Sequence, residues 1–365
     1  MNTEQKCALD AIVKYKSVFI TGPGGVGKSY VINYVRNLLS NRNVEVTALT
    51  GCASVLINGI TLHKWAGMSP SDVNKPVNDI VENMNFLAKK RWRKTHVLII
   101  DEISMLSKDL FEKLDKIGKY IRNSQRPFGG IQLIFSGDFY QLPPILNDCE
   151  DCDKYAFCSE LWAYIFGKTT IELTQVMRQQ DVIFVNILNK IRKGIVDEDV
   201  IQTLESRMNV DYDSHIIPTQ LYSKKYEVDE INKSRLIDLP NEIKLFQSKL
   251  RSVTGSKKIQ SNTKNNMIKQ WESDCPCEQK LMVAIGAQVV LLHNKFHEEH
   301  NLINGSRGVI VDFTADNEPV VEFKHITLPI PLHTWEFSNE ENTFSCEIAQ
   351  YPLKLAWALT IHKSQ

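Results

Sequence analysis

Gly22-Pro23-Gly24-Gly25-Val26-Gly27-Lys28-Ser29 follows the apolar run Ser17-Val18-Phe19-Ile20-Thr21 and leads into a helix-compatible segment, Tyr30 to Leu39. A strand, a glycine loop ending in Lys-Ser and then a helix is the context in which G-x-x-x-x-G-K-[ST] binds phosphate. Glycines let the backbone curl until successive N–H groups converge on phosphate oxygens. The helix that follows aims its positive end at the same place. Gly22, Gly24, Gly25, Val26, Gly27, Lys28 and Ser29 are therefore the candidate nucleotide-binding residues. Lys28 can reach the β- and γ-phosphates, and Ser29 can ligate Mg²⁺. The alternative is a plain glycine-rich turn, which leaves the shared register of the glycines, Lys28 and Ser29 unexplained.

Two further stretches extend this chemistry. Val97-Leu98-Ile99-Ile100-Asp101-Glu102 is an apolar strand ending in two carboxylates. In a phosphate-loop fold the strand carrying such a pair is expected beside the first one. Asp101 would then hold the Mg²⁺ shell and Glu102 would accept a proton from the attacking water. Taken alone, the pair serves equally well as an acidic helix cap. Ile134-Phe135-Ser136-Gly137-Asp138-Phe139-Tyr140-Gln141-Leu142-Pro143-Pro144 reads as a strand end and a sharp turn at the carboxyl edge of a sheet, where ligands sit in such folds. Gln141 is the candidate to orient water or sense the γ-phosphate. A β-turn whose prolines only fix its path is the other reading.

The surrounding pattern fits an α/β chain. Val18–Thr21, Val44–Leu49, Val97–Asp101, Gln132–Ser136 and Thr169–Leu173 read as strands of a sheet covered on both faces. Tyr30–Leu39, Leu106–Ile121 and Glu160–Phe166 read as helices between them. Gly67 to Lys75 breaks the pattern and reads as a loop or a small excursion. Asp181 to Arg207 has helical spacing, with Gly194 separating two helices. Thr219–Tyr222 reads as a strand and Glu227–Leu236 as a helix. Gly255 to Gln279 is polar and weakly patterned and reads as a link. Ala287–Leu292, Arg307–Phe313, Val320–Phe323 and Thr327–Leu332 read as short strands of a small β insertion, and Leu353–Ile361 as a buried run.

Bulk properties exclude some classes. The 365 residues suffice for two or three domains. Lys+Arg and Asp+Glu are 43 each, so no global positive field exists and any nucleic acid must be held by local patches and stacking. The basic cluster Lys89-Lys90-Arg91-Trp92-Arg93-Lys94 reads as a solvated helix end or a contact patch. No apolar run is long enough for a membrane span, and no signal peptide or presequence is visible, so an intracellular protein with no membrane partner is expected. The chain starts almost at its first motif, which suggests that nothing precedes the catalytic part. Cys149, Cys152 and Cys158, with Cys275 and Cys277, invite a zinc reading. They lack two clean C-x-x-C pairs and a following His, so free loop cysteines are expected. Cys7 and Cys52 are expected to be small core residues.

At the third motif a family resemblance becomes plain. Gly137-Asp138-Phe139-Tyr140-Gln141-Leu142-Pro143-Pro144 resembles motif III of the Pif-type (petite integration frequency) DNA helicases, close to the RecD-like branch of superfamily one. Asp101-Glu102-Ile103-Ser104-Met105 is similar to their second motif. Asn2-x-x-Gln5-Lys6-x-Ala8-Leu9 resembles their Q motif, which implies that Gln5 reads the adenine edge. Thr47-Ala48-Leu49-Thr50-Gly51-Cys52-Ala53 and Thr61-Leu62-His63 are similar to the DNA-contacting motif Ia. Leu173-Thr174-Gln175-Val176-Met177-Arg178-Gln179 is similar to motif IV, which implies that Arg178 faces the γ-phosphate from the second lobe. Asp181 through Gly194 resembles the family's signature helix. Ile285–Leu292 and Asn304–Gly308 resemble the frame of its small SH3-like insertion, and Leu355–Gln365 resembles motif V.

The resemblance implies two RecA-like lobes, each a parallel sheet flanked by helices, with ATP and Mg²⁺ between them. The first lobe would span 1–175. The second would comprise 176–254, a polar linking region 255–282, an SH3-like β insertion 283–345, and 346–365 with motif V. It implies a monomeric ATP-dependent helicase moving 5′→3′ on single-stranded DNA, opening forked duplexes in repair, recombination or replication. Thr50, His63, Thr360, His362 and Lys363 would contact DNA. Family members continue past this Ser-Gln with a glycine and a motif carrying a second arginine, so a fragment or a truncated relative is expected. Such an arginine is worth about three or more orders of magnitude in rate. A nucleotide-binding module without motor activity and a phosphate-loop kinase stay open as other readings.

Overall fold

The computed structural model describes residues 1–144, 154–179, 181–208, 210, 216–255, 261–293, 296, 300, 302–338 and 344–361. The chain divides into two compact units, Met1–Val210 and Asp211–Gln365. The lobe boundary expected at 175/176 thus falls inside the first unit, because the segment after Leu173 runs along the glycine loop rather than away from it.

Strands β1 (Val18–Thr21), β2 (Val44–Ala48), β3 (Ile60–Thr61), β4 (Val97–Asp101), β5 (Gln132–Gly137) and β6 (Thr170–Glu172) form a parallel sheet in the order β3-β2-β4-β5-β1-β6. Helices α1 (Thr3–Val13), α2 (Lys28–Leu38), α3 (Gly51–Leu56), α4 (Leu62–Ala66), α5 (Val77–Asn83), α6 (Phe86–Lys94), α7 (Lys108–Arg122), α8 (Glu160–Phe166), α9 (Val182–Arg192) and α10 (Glu198–Glu205) lie in the same unit. Strand residues alternate between two cores. Phe19, Leu98, Ile100 and Phe135 join Trp65, Trp92, Phe111, Trp162 and Phe166 on one face. Val18, Ile20, Val97, Ile99 and Ile134 join Ala8, Ile12, Val31 and Val35 on the other. This period-two division covers both faces with helices and explains why the strands read as continuous apolar runs.

The sheet order corrects one expectation. The strand ending in Asp101 pairs with β2 and β5, and it is β5 that lies beside β1. From β4 the chain crosses through α7 and returns as β5 between β4 and β1, bringing the ends of these strands to one edge. Residues 51–94, largely unassigned from sequence, form β3 and α3 to α6. The cluster from Lys89 is indeed a helix end, but Trp92 within it is fully buried with its ring centroid 4.4 Å from that of Trp65.

Cys7 is exposed, not a core residue. The buried face of α1 is Gln5, Ala8, Leu9 and Ile12, the i, i+3, i+4, i+7 stripe, and Cys7 stands off it. The Cys52 side chain, Cys149 and Cys152 lie outside what the structure describes.

The second unit contains β7 (Gln220–Tyr222), α11 (Lys225–Ile237), β8 (Lys244–Gln247), β9 (Lys249–Gly255), α12 (Ser261–Asp274), β10 (Lys280–Val283) and β11 (Gln288–Leu291). After these come β12 (Arg307–Phe313), β13 (Pro319–Phe323), β14 (Thr327–Pro329), β15 (His333–Ser338), β16 (Phe344–Gln350), β17 (Leu353–Leu355) and β18 (Ala358–Thr360). β18 pairs in parallel with β7, and the buried Asn232 side chain of α11 bonds the main chain of Ala358 on both sides, at 3.0 Å each. An antiparallel sheet runs β14-β13-β12-β11-β17, and β15-β16-β9 forms another. The β-rich part is therefore wider than 283–345, since β8 and β9 precede that range and β17 follows it. The region 255–282 is not a plain link: it holds α12, anchored where the Trp271 ring stacks 5.4 Å from Phe344. Among the described residues no helix is long and apolar enough to cross a membrane.

Candidate nucleotide site

The glycine loop is built by close backbone approaches. Gly22 has φ 139°, and a Cβ there would lie 2.2 Å from the Leu173 carbonyl oxygen. Gly27 (φ 88°) caps α2 with no side chain bonded to the first-turn amides, so those N–H groups remain available to an anion. Lys28 Nζ donates to the carbonyls of Gly22 (2.7 Å) and Pro23 (3.0 Å), folding over its own loop. Ser29 is exposed on the first turn of α2. Gln5 Nε2 donates to the Val26 carbonyl (3.3 Å), while Gln5 Oε1 accepts the Asn2 N–H (3.2 Å), tying the start of α1 to the loop.

Opposite the lysine stand the carboxylates. Asp101 is buried at the end of β4, and Glu102 follows in the left-handed region with φ 53°. Gly137 makes this turn possible: a Cβ on it would be 2.7 Å from the Ile103 nitrogen. Burial pushes the Asp101 carboxyl above its ordinary range, and the Glu102 amide and the Lys28 charge pull it partly back. Burial also raises Glu102, with Asp101 and Asp138 adding to the rise and Lys28 opposing it. Lys28 is lowered by burial and restored in part by Glu102, Asp138 and Asp101. A half-buried lysine facing these carboxylates is a donor set chemically suited to a triphosphate with a divalent cation.

Arg178 is placed differently from the expectation. It belongs to the first unit, directly against the loop: its N–H and that of Met177 both point to the Gly25 carbonyl, at 3.3 and 2.8 Å. A Cβ on Gly25 would be 3.0 Å from Arg178 Cβ. Leu173 N–H pairs with the Thr21 carbonyl (2.8 Å), which lays the whole segment alongside β1 and the loop. Gln141 sits in the turn after β5, its amide nitrogen 3.4 Å from Asp138 Oδ2. The residue that sequence reasoning missed is Arg192, whose guanidinium grips Asp138 in the same turn. Its only sequence signal was its place in the signature-like helix.

The candidate DNA contacts are only partly described. β2 and β3 pair Ala48 with Thr61, so Thr50 and His63 each lie two residues past the paired ends, at one sheet edge. Burial holds the His63 imidazole below its ordinary value. Thr360 ends β18 in the second unit and lines a pocket of about 110 Å³ with Lys225, Asp229 and Lys354. His362 and Lys363 lie outside the described residues. Cys275 and Cys277 are buried with sulfurs 3.1 Å apart, packed with Cys346, and among the described residues no group of three or more His, Cys, Asp or Glu could hold a metal ion.

A parallel sheet whose first strand runs into a glycine loop and an open helix start, with acidic residues ending neighbouring strands, defines a phosphate-loop nucleotide-binding fold. Comparison with known proteins narrows the class. The family model described as PIF1-like helicase matches residues 1–201, more than half of the chain, and the chain belongs to this family. The ATP-dependent DNA helicase PIF1 of Xenopus laevis is 35% identical over 375 residues, covering 100% of this chain and 55% of its own length. The chain thus spans about half the length of that curated relative. The crystal structure of Pif1 helicase from Candida albicans matches with TM-score 0.75 at 32% identity, over 100% of this chain and 86% of that one. Pif1 helicase from Bacteroides in complex with ADP-AlF3 and ssDNA matches with TM-score 0.60 at 28% identity, over 100% and 83%.

Proposed function

We propose that this chain is the motor part of an ATP-dependent DNA helicase that couples nucleotide hydrolysis to 5′→3′ movement on single-stranded DNA and opens forked duplexes. The observation carrying this reading is the convergence of Lys28, Asp101 and Glu102 at the open start of α2. Lys28 and the loop amides would bind the β- and γ-phosphates. Ser29 and Asp101 would hold Mg²⁺, which when bound neutralises phosphate charge. Glu102, raised by burial and its acidic neighbours, is suited to take a proton from water. Gln141 would orient that water, Arg178 would meet the γ-phosphate from its place on the loop, and Gln5 would read adenine.

Thr50, His63 and Thr360, together with His362 and Lys363, are the proposed DNA contacts. The grip would be phosphate contact and stacking, insensitive to sequence and weakened by salt. One copy per strand, acting intracellularly in repair, recombination or replication, completes the reading.

The test is steady-state ATPase of the chain with and without oligothymidylate, beside Lys28→Ala. Turnover that rises with the oligonucleotide and vanishes in Lys28→Ala supports the reading. Turnover indifferent to DNA points to a nucleotide-binding module without motor activity, and full turnover in Lys28→Ala removes the site.

A further inference from the structure

We propose that Arg192 is a positioning residue for nucleotide hydrolysis: it clamps the Asp138 carboxylate and, through it, the turn that presents Gln141. The clamp is a fork. Arg192 Nε donates to Asp138 Oδ2 (2.6 Å) and Nη2 donates to Oδ1 (2.7 Å). This two-toothed geometry fixes orientation as well as distance.

The acceptor is the organiser of the turn. Asp138 Oδ1 also takes the Tyr140 N–H (3.2 Å), its main-chain carbonyl takes the Gln141 N–H (2.9 Å), and Oδ2 lies 3.4 Å from Gln141 Nε2. The guanidinium carbon stands 4.5 Å from the centre of the Tyr140 ring, so one side chain holds the turn at two points. Arg192 is the last residue of α9, a helix separated in sequence from the turn by dozens of residues, so the clamp transmits the placement of α9 to Gln141.

Stability alone is a poor account of this pair. The Asp138 side chain is 1% accessible and that of Arg192 13%, and a buried ion pair seldom stabilises a fold beyond an apolar pair of the same size. Placement next to the chemistry is the better account. Asp138 and Arg192 both act on Lys28, with opposite signs. Arg192 therefore matches a carboxylate that would otherwise stand unpaired beside Glu102 and the proposed phosphate site. The inference rests on the hydrolysis reading above.

Two measurements on the full chain separate the inference from that reading. The first is hydrogen exchange of a peptide spanning residues 137–144 in nucleotide-free protein, for wild type, Arg192→Gln and Lys190→Gln. Lys190 lies on the same helix and pairs with Asp197 and Asp199 instead, so it reports on helix integrity alone. Faster exchange in Arg192→Gln, with Lys190→Gln like wild type, supports the clamp. Unchanged exchange in Arg192→Gln, or an equal rise in both, overturns it whatever the ATPase shows.

The second is DNA-stimulated ATPase. Arg192→Gln is expected to lose about 10- to 100-fold in kcat with the KM for ATP nearly unchanged. Arg192→Lys should fall between, because an ammonium cannot form the fork. Asp138→Asn should match Arg192→Gln, and the double variant should be no worse than either. A rise in KM with kcat intact, or additive losses in the double variant, overturns the positioning role. If wild type and Lys28→Ala turn over ATP equally, the hydrolysis reading falls instead, and the exchange result still judges the clamp.

Discussion

Gly22 and Leu173 meet backbone to backbone: a Cβ on Gly22 would lie 2.2 Å from the Leu173 carbonyl oxygen, and the φ of 139° at Gly22 disfavours any other residue. The contact fastens the segment bearing Arg178 to the mouth of the glycine loop. Gly22→Ala is expected to cost at least about 1–3 kcal/mol in nucleotide-free protein, measured by urea unfolding. Gly24→Ala is the control, because nothing lies within 4 Å of its Cβ position. It should stay within about 0.5–1 kcal/mol.

Glu102 links activity and stability to pH with opposite signs. In the proposed role of general base it must be ionised, so kcat should climb as pH rises through its raised pKa. Glu102→Gln should remove that limb and about 10²- to 10⁴-fold of turnover while leaving ATP binding measurable by fluorescent-nucleotide titration. For stability, the folded protein binds more protons than the unfolded chain between the ordinary and the raised value. Stability of nucleotide-free protein should therefore fall as pH rises through that window. Melting curves of Glu102→Gln should show a smaller fall; an identical pH dependence would count against the burial of this charge.

Arg122 secures the far end of the same unit. Its Nη1 donates to the carbonyls of Trp92 (2.6 Å), Arg93 (3.0 Å) and Thr95 (3.0 Å), closing the end of α6, and its Nε donates to Gly129 (2.8 Å). Arg122→Met should cost about 1.5–3 kcal/mol, the range for a hydrogen-bonded charge. Thermal melts should register the loss, with fluorescent-nucleotide affinity at low temperature unchanged. A shift in affinity as large as the shift in stability would show that Arg122 supports the site directly.

Thiol chemistry checks the placement of α1. Cys7 is exposed, whereas Cys275, Cys277 and Cys346 are buried. Cys7→Ser should remove one equivalent from the thiols that react quickly with a chromogenic disulfide in native protein. Cys275→Ser should leave that fast count unchanged and alter only the total after unfolding.

Much of the first unit was legible because its signals are local. Val18–Thr21 and Val97–Asp101 are apolar runs bounded by polar or glycine residues, and the structure keeps those bounds. α12 was not legible: its surface is polar, and what holds it is Trp271 against aromatics on distant strands. Most of the elements within residues 51–94 were unreadable for a related reason. They are short helices joined around one tryptophan pair, with too few turns each to show a period.

By itself the sequence determined the phosphate loop, the acidic pair ending its strand and the order of the motifs, since each depends on residues close together in the chain whose glycines, charges and apolar spacing carry their own geometry. Only the tertiary structure decided that β5 separates β4 from β1, that Arg178 lies on the loop within the first unit, and that Arg192 reaches Asp138. Those are matters of crossover path and long-range pairing. The free energy that selects them comes from burying surfaces far apart in sequence, which no local pattern records.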